Sequence, residues 1–304
     1  MLRWRLISAA IIVAVLLALI WLDYRQVFFE TPGAWLLPLL LVVSVLATEE
    51  VLSLVRAQGN QPIGWIVFLG NLAIPLAAGL PIVLTLCGSK LAERYPQIGH
   101  VAPLAALAVS MVLVFVGEMS RFRQPGTAIV NAALSAFTLV YVGVLISFWA
   151  FLRLQGGNEW GMAALFSTLL IVKMADTGAF AFGKTFGRHK MSPILSPGKT
   201  WEGSLGGIFT AGVTSWAFFQ FVAPRIVTSG YVEPPLAAVM AYGVLVALAG
   251  MIGDLAESLL KRDMQRKDSS TWLRGLGGVL DIIDAPLVAG VVAWLCWTAG
   301  LVGP

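Results

Sequence analysis

The chain has 304 residues, of which 58% are hydrophobic and 12% charged, and its formal net charge is +4. A soluble globular domain carries about 25% charged residues. The mean hydropathy of +0.85 therefore excludes an ordinary water-soluble globule, and the modest positive charge, spread over short loops, excludes a nucleic-acid partner.

Apolar runs close to the roughly 20 residues that cross a bilayer recur along the whole length. Nine are read, at 6–22, 34–55, 63–87, 101–117, 128–152, 162–183, 203–223, 236–256 and 285–302. They predict an all-α polytopic integral membrane protein. The first run follows Arg3 and Arg5, as the apolar core of a signal peptide would. No small-x-small cleavage site precedes Asp23 and eight further runs follow, so it is read as an uncleaved first helix. Pro38, Pro75 and Pro81 fall inside later runs, where neighbouring helices can satisfy the carbonyls that proline frees. Cys87 and Cys296 read as buried thiols, with neither the number nor the spacing of a metal site or disulfide framework.

Lys and Arg divide unequally between alternate sides. Fourteen of the twenty fall on the side of the N-terminus, with loops 56–62, 118–126 and 184–202 and segment 257–284; five fall on the other, and Lys173 lies within a run. Basic loops stay in the cytoplasm, so the N-terminus and both long polar segments are expected there, with the C-terminus outside.

Residues 1–160 read as plain transmembrane helices with short loops, carrying little beyond the pair Glu49–Glu50. Residues 161–304 read as a catalytic transmembrane region with polar cytoplasmic segments 184–202 and 257–284. Charges enter the apolar runs there, and glycines cluster beside them. Lys173 and Asp176 are three apart and share a helix face at a depth where ionisable groups line a polar cavity or face a partner. Gly178, Gly183 and Gly187 permit close backbone approach, and Lys184, Arg188, His189 and Lys190 form a basic rim. In "SPGKTWEGSLGG", residues 196–207, Ser196, Lys199 and Thr200 offer two hydroxyls and an ammonium to phosphate oxygens just before a helix start, itself an anion site. A plain loop and N-cap is the competing explanation. The spacing is not that of a P-loop.

The stretch "GDLAESLLKRDMQRKDSSTWLRGLGGVLDIIDAP", residues 253–286, sets Asp254 and Glu257 on one turn of a helix, with Lys261 and Arg262 on the next. Lys267 and Asp268 follow, then Gly275, Gly277 and Gly278, then Asp281 and Asp284 at the start of the last run. Carboxylates from two helices suit a hard divalent ion, since magnesium takes oxygen ligands and keeps waters that phosphates can replace. A solvated loop on anionic lipid accounts for the bases but not for the four acids. The pattern points to phosphoryl or nucleotidyl chemistry.

At these two constellations the sequence resembles the integral-membrane phosphatidate cytidylyltransferases, the CDP-diacylglycerol synthases. In that family D-[ST]-x-A-[YF]-x-x-G-[RK]-x-[FL]-G precedes SP-x-KT-x-EG-x-x-GG, as Asp176 to Gly187 and Ser196 to Gly207 do here. Its C-terminal signature, S-x-x-K-R, K-D, a glycine-rich turn and D-R-x-D, is similar to Ser258, Lys261, Arg262, Lys267, Asp268, Gly275, Gly277, Gly278, Asp281 and Asp284. Leu276 stands where the family usually has histidine and Ile282 where it usually has arginine; without a nucleotide or phosphate contact from these, either other groups supply the affinity or the substrate differs. The resemblance covers 173–207 and 250–286, about a quarter of the chain.

What the resemblance implies is transfer of CMP from CTP to phosphatidate, giving CDP-diacylglycerol and pyrophosphate, at the cytoplasmic face of a bacterial inner membrane. Asp254, Asp281 and Asp284 would hold magnesium, with Asp254, Asp281 and Lys261 the catalytic group. Ser196, Lys199, Thr200, Arg262, Lys267, Asp268 and Asp176 would bind substrate, with Asp176 either binding a second cation or orienting Lys173. Membrane lipids are the surrounding partners, and a homodimer is left open. Two other readings stand beside this one: a cytidylyltransferase or CTP-dependent kinase for another membrane lipid or polyprenol, and an ion-coupled transporter using Lys173 and Asp176. The paired repeats of many transporters are missing from the sequence.

Overall fold

A computed structural model of the protein describes residues 2–95, 97–123, 125–266, 269–270 and 277–303. The helices are α1 (Leu2–Tyr24), α2 (Leu36–Ala57), α3 (Gly64–Ala78), α4 (Leu80–Leu86), α5 (Leu91–Arg94), α6 (Ile98–Arg121), α7 (Ala128–Leu154), α8 (Gly157–Phe186), α9 (Trp201–Ile226), α10 (Leu236–Asp263) and α11 (Leu280–Thr298). Between α8 and α9 an antiparallel ribbon joins β1 (Lys190–Ser192) to β2 (Ser196–Thr200), pairing Lys190 with Thr200 and Ser192 with Ser196.

Among the described residues, seven helices are long and apolar enough to cross a membrane, and α3 with α4 makes an eighth if counted as one broken span. Ala9–Tyr24 adds a shorter apolar stretch. Each of the nine expected runs overlaps one of these, so the protein is an all-α polytopic membrane protein and nine is an approximate count. The break between α3 and α4 is a 68° bend. Pro81 lies in the first turn of α4, where its missing N–H and its ring bar continuation of the preceding helix. One expectation is corrected: Cys87, just beyond α4, is exposed, whereas Cys296 is buried.

The chain divides into two compact units, Met1–Phe151 with Asp263–Ile282, and Leu152–Arg262 with Ile283–Pro304. In the first, Leu52, Ile66, Val67, Ile74, Val114, Ala132 and Leu139 form the core of α2, α3, α6 and α7. Asn71 is its polar hub. Its Nδ2 donates to Thr48 Oγ1 (2.8 Å) and to the carbonyl of Thr138 (3.2 Å), where a π-helical turn, Leu139–Val144, begins, and its own carbonyl accepts from Ser44 Oγ (2.6 Å). Asp23, 1% exposed, accepts from the backbone N–H of Gly33 and Trp35 and so closes the turn between α1 and α2.

In the second unit α8, α9, α10 and α11 pack in succession, and small residues lie at each contact, as helices in lipid require for close approach. On α9, a Cβ at Gly203 would stand 2.8 Å from the carbonyl oxygen of Ala179, and one at Gly207 would stand 2.9 Å from that of Ala175. Ser215 Oγ donates to the carbonyl of Val239 on α10 (2.7 Å). Deeper, Tyr242 is fully buried with its hydroxyl 3.0 Å from Ser167 Oγ and 2.9 Å from Thr168 Oγ1, and it accepts from Trp297 Nε1 at 3.2 Å.

Tyr242→Phe removes that hydroxyl and leaves the buried indole N–H without its acceptor, which costs about 1–3 kcal/mol. A lower unfolding temperature in detergent is the expected outcome; an unchanged melt would contradict it.

Candidate active site

The site is built from the motif segments of the second unit. Thr200 ends β2 and is the N-cap of α9: its Oγ1 accepts from Gly203 N at 3.1 Å. This satisfies one of the amides that a helix start leaves unpaired. Glu202, in the first turn of α9, reaches back and accepts from the backbone N–H of Arg188 and His189 and pairs with His189 Nδ1 at 2.6 Å. The N–H of Trp201 donates to the carbonyl of His189. These contacts fasten the ribbon to both helix ends, and β2 thereby aims Lys199 inward.

Lys199 Nζ stands 2.6 Å from Asp254 Oδ2, with both side chains partly buried. A cavity of about 510 Å³ surrounds this pair, lined by Asp176, Lys184, Ser196, Thr200 and Ser204 and walled by the apolar side chains of Ala175, Ala179, Phe180, Met191 and Met251. The structure therefore brings together Asp176, Ser196, Lys199, Thr200 and Asp254 from three elements, α8, β2 and α10. Lys173 lies 3.8 Å from Asp176, a loose pair with each side chain half exposed.

Asp254 and Asp284 approach for a steric reason. Gly253 packs its bare Cα on the backbone of Asp284 and Ala285, where a Cβ would strike the Asp284 carbonyl oxygen. The charges of Asp254, Lys173 and Asp176 all act on the Asp284 carboxyl, whose Oδ1 accepts from the N–H of Ala285 at 2.7 Å.

Other expected residues are placed elsewhere. Lys261 pairs with Glu257 at 2.5 Å, an acid that is 1% exposed, and Arg262 Nε donates to the carbonyl of Leu195 at the ribbon's turn (3.2 Å). Neither lines the cavity. Asp281 belongs to the first unit, where its Oδ2 accepts from Ser269 N, Ser269 Oγ and Gly278 N at 3.1, 2.6 and 2.7 Å. Lys267, Asp268, Gly275 and Leu276 lie outside the described residues. Among the described residues, no three Asp, Glu, His or Cys side chains converge closely enough to cage an ion.

Sequence reasoning missed Glu202 and Glu50. Glu202 stands inside the quoted "TWEG" stretch, and its acid in the first turn of a helix was the available signal. Glu50 had no comparable signal beyond being an acid in an apolar run.

The sequence profile of the cytidylyltransferase family matches residues 3–299, nearly the whole chain. The chain belongs to the cytidylyltransferase family. Among its relatives is a phosphatidate cytidylyltransferase of Mycobacterium bovis, 28% identical over 311 aligned positions that cover 96% of this chain and 88% of the relative. The phosphatidate cytidylyltransferase of Mycobacterium tuberculosis is also 28% identical, covering 96% of this chain and 82% of its own. That of Staphylococcus aureus is 29% identical over 236 positions, 78% of this chain and 83% of the relative. The likeness extends far beyond the two motif segments, into helices that carry no recognisable signature.

In this cytidylyltransferase the α10–α11 contact at Gly253 is expected to be intolerant of any side chain. Gly253→Ala must displace backbone, and overpacking of this kind costs about 1–3 kcal/mol. Both the unfolding temperature and turnover should fall, whereas Gly198→Ala, in open space at the ribbon, should leave the melt unaltered.

Proposed function

We propose that the protein transfers CMP from CTP to phosphatidate, releasing pyrophosphate and leaving CDP-diacylglycerol in the membrane. The observation that carries this reading is the pairing of Lys199 with Asp254 in a cavity whose remaining wall is largely apolar. Charged groups at one end and hydrocarbon along the sides suit a substrate that is itself a phosphate on two acyl chains. The family membership and the phosphatidate cytidylyltransferase relatives support the same chemistry.

A lipid phosphomonoester, with a second pKa near 6, is largely ionised at neutral pH and is its own nucleophile. The protein's task is to overcome repulsion between two anions and to hold them in line. Lys199 can exchange Asp254 for a phosphate oxygen, and Lys184 and Ser196 add an ammonium and a hydroxyl from the facing walls. Lys261 and Arg262, committed to Glu257 and Leu195, steady the end of α10 and the ribbon.

The donor chemistry suits magnesium, because Asp254 and Asp284 offer hard oxygens, and this ion is bound through one or two carboxylates together with water and substrate phosphates. A cage of three protein acids is not required. When bound there, magnesium would supply charge neutralisation at the polyphosphate and its leaving group. Asp176, across the cavity, keeps Lys173 oriented.

The reading is tested by incubating purified protein with labelled CTP and phosphatidate, with and without magnesium. Magnesium-dependent release of pyrophosphate is expected, and loss of that release in Asp254→Asn protein that still folds. Release of CDP would identify a kinase instead, and near-normal turnover by Asp254→Asn would remove Asp254 from the mechanism.

The distribution of basic residues supports a cytoplasmic site, and the bacterial relatives support a bacterial cell membrane. Ile194, 86% exposed at the ribbon's turn, provides the probe. With Cys87 and Cys296 replaced by serine, Ile194→Cys should react with an impermeant maleimide in inside-out vesicles and not in intact cells. The reverse pattern would invert the topology.

A further inference from the structure

Glu50 has no part in the chemistry assigned so far, yet it is 3% exposed on a largely apolar helix. Both carboxylate oxygens are engaged within the first unit. Oε1 accepts from Val279 N at 2.8 Å, and Oε2 accepts from Leu280 N at 2.8 Å and stands 2.9 Å from Ser269 Oγ. An acid in this position satisfies amides that the start of α11 leaves unpaired and meets the positive end of its dipole.

Helix caps ordinarily come from the residue just before the helix. Here the acceptor lies 229 residues from Val279 in sequence. A local Ser or Asp would cap α11 without placing an acid in an apolar span, where it is expensive. The same contacts continue toward the site residues of α11. Ser269 Oγ, shared with Glu50, lies 2.6 Å from Asp281 Oδ2, and that oxygen also accepts from Gly278 N. Any side chain at Gly278 would displace these groups, because a Cβ would fall on Ser269 Oγ and on the Glu50 carboxylate.

We propose that Glu50 is a positioning residue for nucleotidyl transfer. It sets the backbone of Gly277–Leu280 and, through Ser269, the carboxylate of Asp281, and so fixes the rotation of the helix that carries Asp284 one turn later. The proposal rests on the reading of the protein as a CTP:phosphatidate cytidylyltransferase. An acid that merely stapled the fold would affect stability alone. A positioning acid also alters kcat and the magnesium requirement, because it sets the helix that carries Asp284, and a displacement of about 1 Å at the reacting groups can cost about 100-fold.

Three full-length proteins in detergent test this: the wild type, Glu50→Gln and Ser269→Ala. Each is assayed for pyrophosphate release across a magnesium titration, and amide hydrogen exchange is followed at 278–280. Glu50→Gln keeps one acceptor and turns an NH₂ toward the other donor. Its kcat should fall by up to about 100-fold with KM for CTP unchanged, its half-saturating magnesium should rise, and exchange at 278–280 should quicken. Ser269→Ala, which loses only the shared hydroxyl, should show a smaller loss in the same direction and remains informative if Glu50→Gln does not fold. The positioning role is overturned if folded Glu50→Gln keeps wild-type kcat and magnesium dependence, or if Ser269→Ala matches the wild type in both. Absence of pyrophosphate release from the wild type would instead overturn the function itself, and accelerated exchange in Glu50→Gln would still report the anchor.

Discussion

The ion pair of Lys199 and Asp254 organises the second unit. An ammonium and a carboxylate this close to hydrocarbon are tolerable only together or against water and substrate, because desolvating either alone costs several kcal/mol. Their meeting depends on a chain of local conditions. Thr200 must cap α9 so that β2 ends where it does, Glu202 must hold the 188–189 backbone, and Gly203 and Gly207 must let α9 lie on α8. The motif is thus mostly scaffold for one lysine.

The second consequence is a division of labour among acids that look equivalent on paper. Asp254 is the partner of a lysine in the cavity, and Asp284 lies in the field of Asp254, Asp176 and Lys173. Asp281, one turn earlier on α11, has Oδ2 occupied by two backbone amides and a hydroxyl. Glu257 is buried against Lys261. Of four acids in one signature, Asp281 holds backbone amides and Glu257 is committed to a lysine, while Asp254 and Asp284 are the two that the proposed chemistry can use. Such an arrangement makes catalytic geometry a property of helix register and turn conformation, with little left to flexible side chains.

The apolar half of the cavity wall deserves equal weight in any account of specificity. Ala175, Ala179, Phe180, Met191 and Met251 cannot recognise a nucleotide by hydrogen bonding, yet they can lie along acyl chains. Ala175 and Ala179 are small for the same reason that Gly203 and Gly207 face them, since close approach of α8 and α9 requires it. Substrate class and helix packing therefore share one compositional cause.

The sequence by itself determined the membrane-spanning helices, because twenty-residue apolar runs admit few alternatives in a chain this poor in charge. It also marked the residues that reach the cavity, Asp176, Ser196, Lys199, Thr200 and Asp254, since polar groups beside glycines in such runs are conspicuous. It could not distinguish a cap from a ligand: Thr200 and Asp281 have the right chemistry for either, and only the placement of Gly203 N and of the Gly278 turn decides. It missed the ribbon's fastening by Glu202 and the anchoring of α11 by Glu50. Contacts separated by 229 residues carry no local periodicity or spacing, so partners of this kind are defined by tertiary packing alone.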